Sequence, residues 1–464
     1  MILRDELRRS TPVLVALFLA VVLSAPGSVA AGDAPLYRPI RRLTVPEPQG
    51  HFGWALAAAG DRLLVGAPHF EGVGATTAHA YVFDPATGDL IHELGVETGN
   101  EHWWRFTAGF VGTNPMVGID PGEASDGLGG PVTVFNGETG GTVQTFCCLG
   151  SVAIGVDDDV LIGTAGGAEL FDLPTGNLIR TFVMPDPNRA GVLAMVRSGH
   201  TVAIAGAQPV GVRLFDDRTG KPYGFVGTRH GDTRHFGSAM AVNGAILAIT
   251  EIPQVNVFDI GFGAYLGTID PPPQLGNASF GTALAYLGGR LAVGAPSGGD
   301  KGAVHLHEPN GLIFQSLPAD GAGPGFGRAV VALGKSLAVG VPTEDGGAVV
   351  IYAPCGDGVV DPPVEECDDG NDVDDDACDD ECHVATTEPP VCGDADGDGA
   401  VSVSDGVQIL RAAAGLSSVC TLGRCDLDGG GTISISDGVQ ALRAAAGLPS
   451  GGDCTPGSAD ALGR

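Results

Sequence analysis

Between residues 394 and 405 the chain reads DADGDGAVSVSD, which sets Asp394, Asp396, Asp398 and Asp405 around glycines that allow a tight turn. Alternating carboxylates of this kind converge hard, anionic oxygens on one point, the donor set of a calcium ion that takes about six to eight oxygens in flexible geometry. In a twelve-residue loop the ligands fall at positions 1, 3, 5, 7, 9 and 12. Here those are Asp394, Asp396, Asp398, the carbonyl of Ala400, Ser402 and Asp405, with Gly399 making the turn at position 6. The segment recurs 32 residues later, where DLDGGGTISISD offers Asp426, Asp428, the carbonyl of Thr432, Ser434 and Asp437, with Gly431 at the turn. Position 5 of that copy is Gly430, so a carboxylate is lost and the second calcium site is expected to be the weaker.

Each loop must be held by the residues that follow it. Val407, Leu410 and Ala414, and likewise Val439, Leu442 and Ala446, fall at helical spacing, and Gly415 and Gly447 suit a C-cap, so one helix is predicted after each loop, the two packing by their apolar stripes. No helix precedes either loop, unlike an ordinary EF-hand. With two loops, Asp at position 12, a single following helix and near-perfect internal symmetry, 392–454 resembles a type I dockerin. The resemblance implies a calcium-dependent module that docks onto a cohesin-like partner. It also implies partner contacts at loop positions 10 and 11 and on the following helix, here Val403, Ser404 and Arg411 in one unit and Ile435, Ser436 and Arg443 in the other. Cys392, Cys420, Cys425 and Cys454 flank the units and are expected to staple them as disulfides around a small core.

Other reactive side chains do not assemble into a catalytic motif. GxSxG, HExxH and GxxxxGK[ST] are absent, so no catalytic residue is assigned. His305 and His307 alternate along a strand and share one face, expected to be a blade surface. Asp120, Glu123 and Asp126 lack calcium-loop spacing and read as a solvated turn, and Asp84, Asp172, Asp216 and Asp259, each after a Phe, read as turn formers. Cys147 and Cys148 are adjacent, as a vicinal disulfide, two thiols or an intermolecular link.

From about 45 to 352 a unit of roughly 45 residues repeats: an apolar run, a turn, a second run ending in Gly-Ala-Pro, a glycine-rich loop and a third run, often closing in Phe-Asp and Thr-Gly. HFGWALAAAGDRLLVGAP (51–68), SFGTALAYLGGRLAVGAP (279–296) and GFGRAVVALGKSLAVGVP (325–342) are its clearest copies. Taking Gly66, Gly118, Gly163, Gly206, Ile249, Gly294 and Gly340 as markers, seven copies follow one another at 43 to 52 residues. Several short β-rich runs per copy make one antiparallel blade, and seven blades close a ring. The last copy lacks a fourth strand, whereas YRPIRRLTV (37–45) precedes the first and resembles the fourth strands LIHEL and LIRTF; it is expected to complete blade 7. The Phe-Gly and Gly-Ala-Pro pairs resemble the FG-GAP repeats of integrin-α-type propellers, although the inter-strand loops lack that family's Asp-rich calcium motif.

Composition supports this partition: Gly 75 and Pro 32 alongside 44% hydrophobic residues fit many short strands and turns. Lys+Arg 24 against Asp+Glu 55 leaves a net charge of −31, which opposes binding to nucleic acid. Residues 1–30, with Arg4, Arg8 and Arg9 before PVLVALFLAVVLS and a Ser-Val-Ala site, read as a secretory signal peptide, with no membrane insertion after its removal. The segment 355–384 holds Cys355, Cys367, Cys378 and Cys382 among carboxylates with too few apolar residues for a core, so disulfides of unspecified pairing must hold it. It resembles the Myxococcus-type cysteine-rich repeat of secreted bacterial proteins. Residues 385–391 then read as a linker and 455–464 as a disordered tail. The expectation is therefore a mainly β protein, outside the cell or on its surface: a seven-bladed propeller over 37–354, a small disulfide-rich module and a small α calcium-loop domain. Its propeller would recognise a protein or glycan ligand without catalysis; the alternative is a glycoside hydrolase or polysaccharide lyase tethered by the dockerin-like module.

Overall fold

The computed structural model describes residues 37–450 except 46–49, 69–76, 98–104, 121–129, 148–149, 151, 186–190, 208–209, 230–234, 276–278, 320–322, 343–345, 356–357, 361–364, 369–377, 379–381, 383–390, 398 and 429. The signal segment, the tail, Trp103, Trp104, Glu123, Asp126, Cys148, Asp398 and Cys454 thus lie outside the described residues. The chain divides into two compact units, one running to residue 374 and including 378–383, the other comprising 375–377 and 384 onward.

The first unit is a seven-bladed propeller of four-stranded antiparallel sheets. Its innermost strands are Ala55–Ala59, Arg105–Val111, Ala153–Val156, Val192–Ser198, Met240–Asn243, Ala283–Leu287 and Val330–Leu333, each adjoining the next around the ring. Second strands such as Arg62–Ala67, Arg290–Ala295 and Ser336–Val341 are apolar on both faces because each blade is covered by two neighbours. Outermost strands, such as Leu178–Val183, face water and mix exposed with buried positions. The core is therefore a series of inter-blade layers, into which Phe52, Phe236, Phe280 and Phe326 are completely or almost completely buried.

Blade 7 is closed by the N-terminal strand. Tyr37–Leu43 pairs antiparallel with Ala348–Pro354, Tyr37 opposite Pro354 and Leu43 opposite Val349, as the outermost strand of that sheet. Gln315, on the outermost strand of blade 6, ties it to the next sheet: its amide accepts from Tyr37 N–H and donates to Tyr37 O, each at 2.8 Å.

The repeated glycines have a steric cause. A Cβ on Gly340 would lie 2.0 Å from Gly53 O, and one on Gly294 would lie 2.1 Å from Gly327 O, so the Gly-Ala-Pro glycine of one blade lies under the Phe-Gly carbonyl of the next. Blade 5 departs from this rule and corrects the sequence register. Gly237 N–H donates to Thr250 O at 2.9 Å just as Gly281 N–H donates to Gly294 O at 3.0 Å, so Thr250 rather than Ile249 occupies the glycine position. Its hydroxyl donates to Gly281 O at 2.5 Å, replacing a close approach by a hydrogen bond.

The hairpins between third and fourth strands are turns capped by side chains. Asp84, Asp172, Asp216 and Asp259 accept backbone N–H groups two or three residues ahead, and Asn136 does the same in blade 2. Three of these hairpins also rest on the outermost strand of the preceding blade. Arg41 donates to Thr87 O (2.8 Å), His92 to Gly137 O (3.1 Å) and Arg180 to Asp217 O (2.6 Å).

His305 and His307 share a face of Ala303–His307, but that face is buried between blades rather than a blade surface, with exposures of 5% and 1%. Beyond the last blade, Cys355 pairs with Cys382 and Cys367 with Cys378, a nested arrangement that encloses the partly described acidic segment. Sulfurs used in this way are not thiolates, so the proximity of Cys355, Cys378 and Cys382 is that of disulfide packing. Cys147 is also oxidised. The three described disulfides fit an oxidising, extracellular environment, and among the described residues no helix is long and apolar enough to cross a membrane.

Candidate functional site

The second unit contains α1 (Val403–Ala413), α2 (Leu422–Cys425) and α3 (Ile435–Ala445). Helices α1 and α3 begin identically. Ser402 and Ser434 are extended N-caps, with φ of −122° in both, and Asp405 and Asp437 close capping boxes at the third helical position. Gly415 and Gly447, at φ +68° and +66°, end the helices as the sequence suggests.

Of the predicted stripe, Leu410 and Leu442 pack against the facing helix, and the other members do not. Ile409 and Ala441 are buried with Ala395, Cys425 and Leu427, whereas Val407 and Val439 are about half exposed and Ala414 and Ala446 face water. Glycine explains this packing: a Cβ on Gly406 would meet Leu442 Cγ at 2.5 Å, and one on Gly438 would meet Leu410 Cγ at 2.5 Å. The helices approach through reciprocal leucine-into-glycine contacts, which the twice-occurring Ser-Asp-Gly-Val carries without announcing. The bridge Cys420–Cys425 is local to the connector, and Cys392 is oxidised as well.

These helix starts draw the acidic loops closed. In the first, carboxylate oxygens of Asp394, Asp396 and Asp405 lie within 4.8 Å of one another; in the second, so do those of Asp426, Asp428 and Asp437. Asp405 accepts from Ala395 N–H (2.9 Å), Asp396 N–H (3.2 Å), Ser402 N–H (2.8 Å) and the Ser402 hydroxyl (2.6 Å). Asp437 repeats the set with Leu427, Asp428 and Ser434 at 2.7–3.0 Å. Burial pushes both carboxyls up, but bonds from the serines and loop amides outweigh it and hold them below the usual carboxylate range. Asp394 accepts from Gly397 and Gly399, and Asp426 from Gly430 and Gly431, which folds each glycine turn back onto its first ligand.

Each cluster thus gathers charged carboxylates at position 1, 3 and 12, two buried and one exposed, and could hold a metal ion. Ser402 and Ser434 spend their hydroxyls on the position-12 carboxylate. The residues expected to meet a partner, Val403, Ser404, Arg411, Ile435, Ser436 and Arg443, are all exposed, Val403 and Ile435 at 62% and 67%. Arg411 also donates to Ser417 O at 3.0 Å.

A second concavity, of about 410 Å³, opens in the propeller between blades 5 and 6, with Leu266, Ile269, Tyr286, Leu291 and His307 among its lining. Burial pushes the Tyr286 hydroxyl up to about 12, so it is a proton donor there and not a base. No family model and no curated protein matches the chain.

Proposed function

We propose that the protein is an exported, non-catalytic binding and scaffold protein: the propeller recognises a protein or glycan ligand, and the C-terminal unit folds around calcium and docks onto a cohesin-type partner. The observation that carries this reading is the duplication of one carboxylate cluster, with the same hydrogen bonds, at the start of two equivalent helices. Oxygen-only donors built of carboxylates suit a hard cation, and calcium tolerates the irregular geometry of a glycine-rich turn better than magnesium. Exposed Val403 and Ile435, each beside a serine, supply two equivalent apolar-polar patches for a partner. Glycine at position 430 makes the second calcium site the weaker.

The test is binding of the mature chain to a panel of purified cohesin domains, with calcium, with chelator, and for the Asp405→Ala/Asp437→Ala variant. Capture by the intact chain in calcium alone supports the reading. Binding that ignores chelator and variant, or none to any cohesin, overturns docking.

A further inference from the structure

The strands that line the propeller axis are ALAAA, RFTAGFV, AIGV, VLAMVRS, MAVN, ALAYL and VVAL, and they contain none of the 55 Asp and Glu residues of the chain. Their only charged residues are Arg105 and Arg197. In a protein of net charge −31, these strands carry no carboxylate of their own, and the guanidinium of Arg197 is paired with Asp157 and Asp217 from neighbouring turns.

At the junction of blades 7 and 1, just ahead of two of these strands, Arg328 lies over the ring of Trp54, its guanidinium carbon 4.1 Å from the ring centroid. His51 stands edge-on to the same indole at 6.0 Å, held at φ +53°, where the corresponding residue of blade 7 is Gly325 at φ +93°. Arg41, Arg180, Arg197 and Arg290 all donate to a carbonyl or carboxylate. The Arg328 guanidinium has no such acceptor among the described residues, and burial pulls its pKa down with no neighbouring charge to oppose it. Its side chain is only partly exposed, so the cation gives up part of its hydration without gaining a counter-charge, while its N–H donors still reach solvent. The indole face offsets part of this but accepts from none of the five N–H donors.

We propose that Trp54 and Arg328 form an oxyanion-binding site at the entrance to the innermost strands, taking a carboxylate or sulfate group of the propeller's ligand on the guanidinium fork. The proposal rests on the propeller being a recognition platform and names the chemistry it recognises. The planar fork suits a two-oxygen acceptor, and the indole orients the fork while leaving its edge for the ligand.

The experiment is calorimetric titration of the mature chain with sodium glucuronate and, separately, sodium sulfate, each against sodium chloride at equal ionic strength. At least one oxyanion saturates a single site, Arg328→Gln weakens it at least 10-fold, and Arg328→Lys, which keeps the charge but loses the fork, weakens it several-fold. The arm that saturates separates a carboxylate from a sulfate ligand. Failure of both oxyanions to bind better than chloride overturns the site, as does unchanged affinity in Arg328→Gln. Should Arg328→Gln not fold, unchanged affinity in Arg328→Lys overturns it instead. None of these outcomes touches calcium-dependent docking by the C-terminal unit, so the two readings fail separately.

Discussion

His307 occupies a position that is aromatic in all six other blades, where Phe83, Phe135, Phe171, Phe215, Phe258 and Tyr352 pair with the matching second-strand residue or lie in its register. With His305 it packs around Phe280, ring centroids 5.8 and 6.5 Å away, and the Nε2 atoms of both imidazoles are buried without a hydrogen-bond partner. Burial, helped by the neighbouring imidazole, lowers His305 from 6.5 to about 4, and burial lowers His307 despite its bond to Gly311 O. In the unfolded chain these rings take up protons near their ordinary value, so between pH 6.5 and about 4 the unfolded state binds more protons and stability falls as the pH falls. Denaturant unfolding of the wild type and of His305→Val/His307→Phe across that range should give curves that diverge as acid is added. Parallel curves would refute the assignment. The inter-blade glycines offer a second residue-scale test. Gly294→Ala and Gly340→Ala force a methyl against a carbonyl at 2.1 and 2.0 Å and should destabilise the ring by about 1–3 kcal/mol, while Gly289→Ala, with open space around it, should stay within about 0.5 kcal/mol.

The N-terminal strand is the element on which closure depends. Without Tyr37–Leu43, the all-buried strand Ala348–Pro354 becomes an open edge of seven residues, a template for pairing with another chain. Deleting 37–43 from the mature chain should convert a monodisperse species into oligomers or aggregates on size-exclusion chromatography. A monomer of unchanged melting temperature would deny the strand this role. That such a strand was legible in sequence follows from the chemistry of blades: their strands are short, their turns are marked by Gly, Asp and Asn, and the last copy visibly lacks its fourth run. Elements whose packing depends on one atom were not legible. Thr250 replaces a glycine and changes the apparent register by one residue, because the eye follows the neighbouring apolar Ile249. Helices α1 and α3 meet through Gly406 and Gly438, so an apolar pattern alone placed Val407 and Val439 in an interface that they do not join. The paired histidines read as surface because polarity is local in a sequence, whereas burial is set by a blade some forty residues away.

At the scale of the whole molecule the two units fold by different physics. The propeller hides continuous apolar strands between blades, whereas the C-terminal unit has a small core of Ile409, Ala441, Ala395, Leu427 and Cys425. Its two loops bring like charges within 4.8 Å, a repulsion relieved only by hydrogen bonds or by a bound cation. The acidic clusters of the C-terminal unit were readable from spacing because the positions that converge in a twelve-residue loop are fixed by backbone geometry. The axial Arg328 was not, since nothing in the local sequence says that Trp54, 274 residues away, lies beneath it. The contrast between the units leads to a thermal prediction for the mature chain. Calcium should raise only the transition of the C-terminal unit, by about 2.7 kcal/mol per site at a hundred-fold excess over Kd, and chelator should remove that gain without moving the propeller's transition. Asp405→Asn should forfeit more of the gain than Asp437→Asn, because the first loop adds Asp398 where the second has Gly430. Scanning calorimetry with and without chelator reads both effects. A calcium-dependent shift of the propeller transition, or equal losses from the two substitutions, would contradict the proposal that calcium acts on the C-terminal unit through two unequal sites.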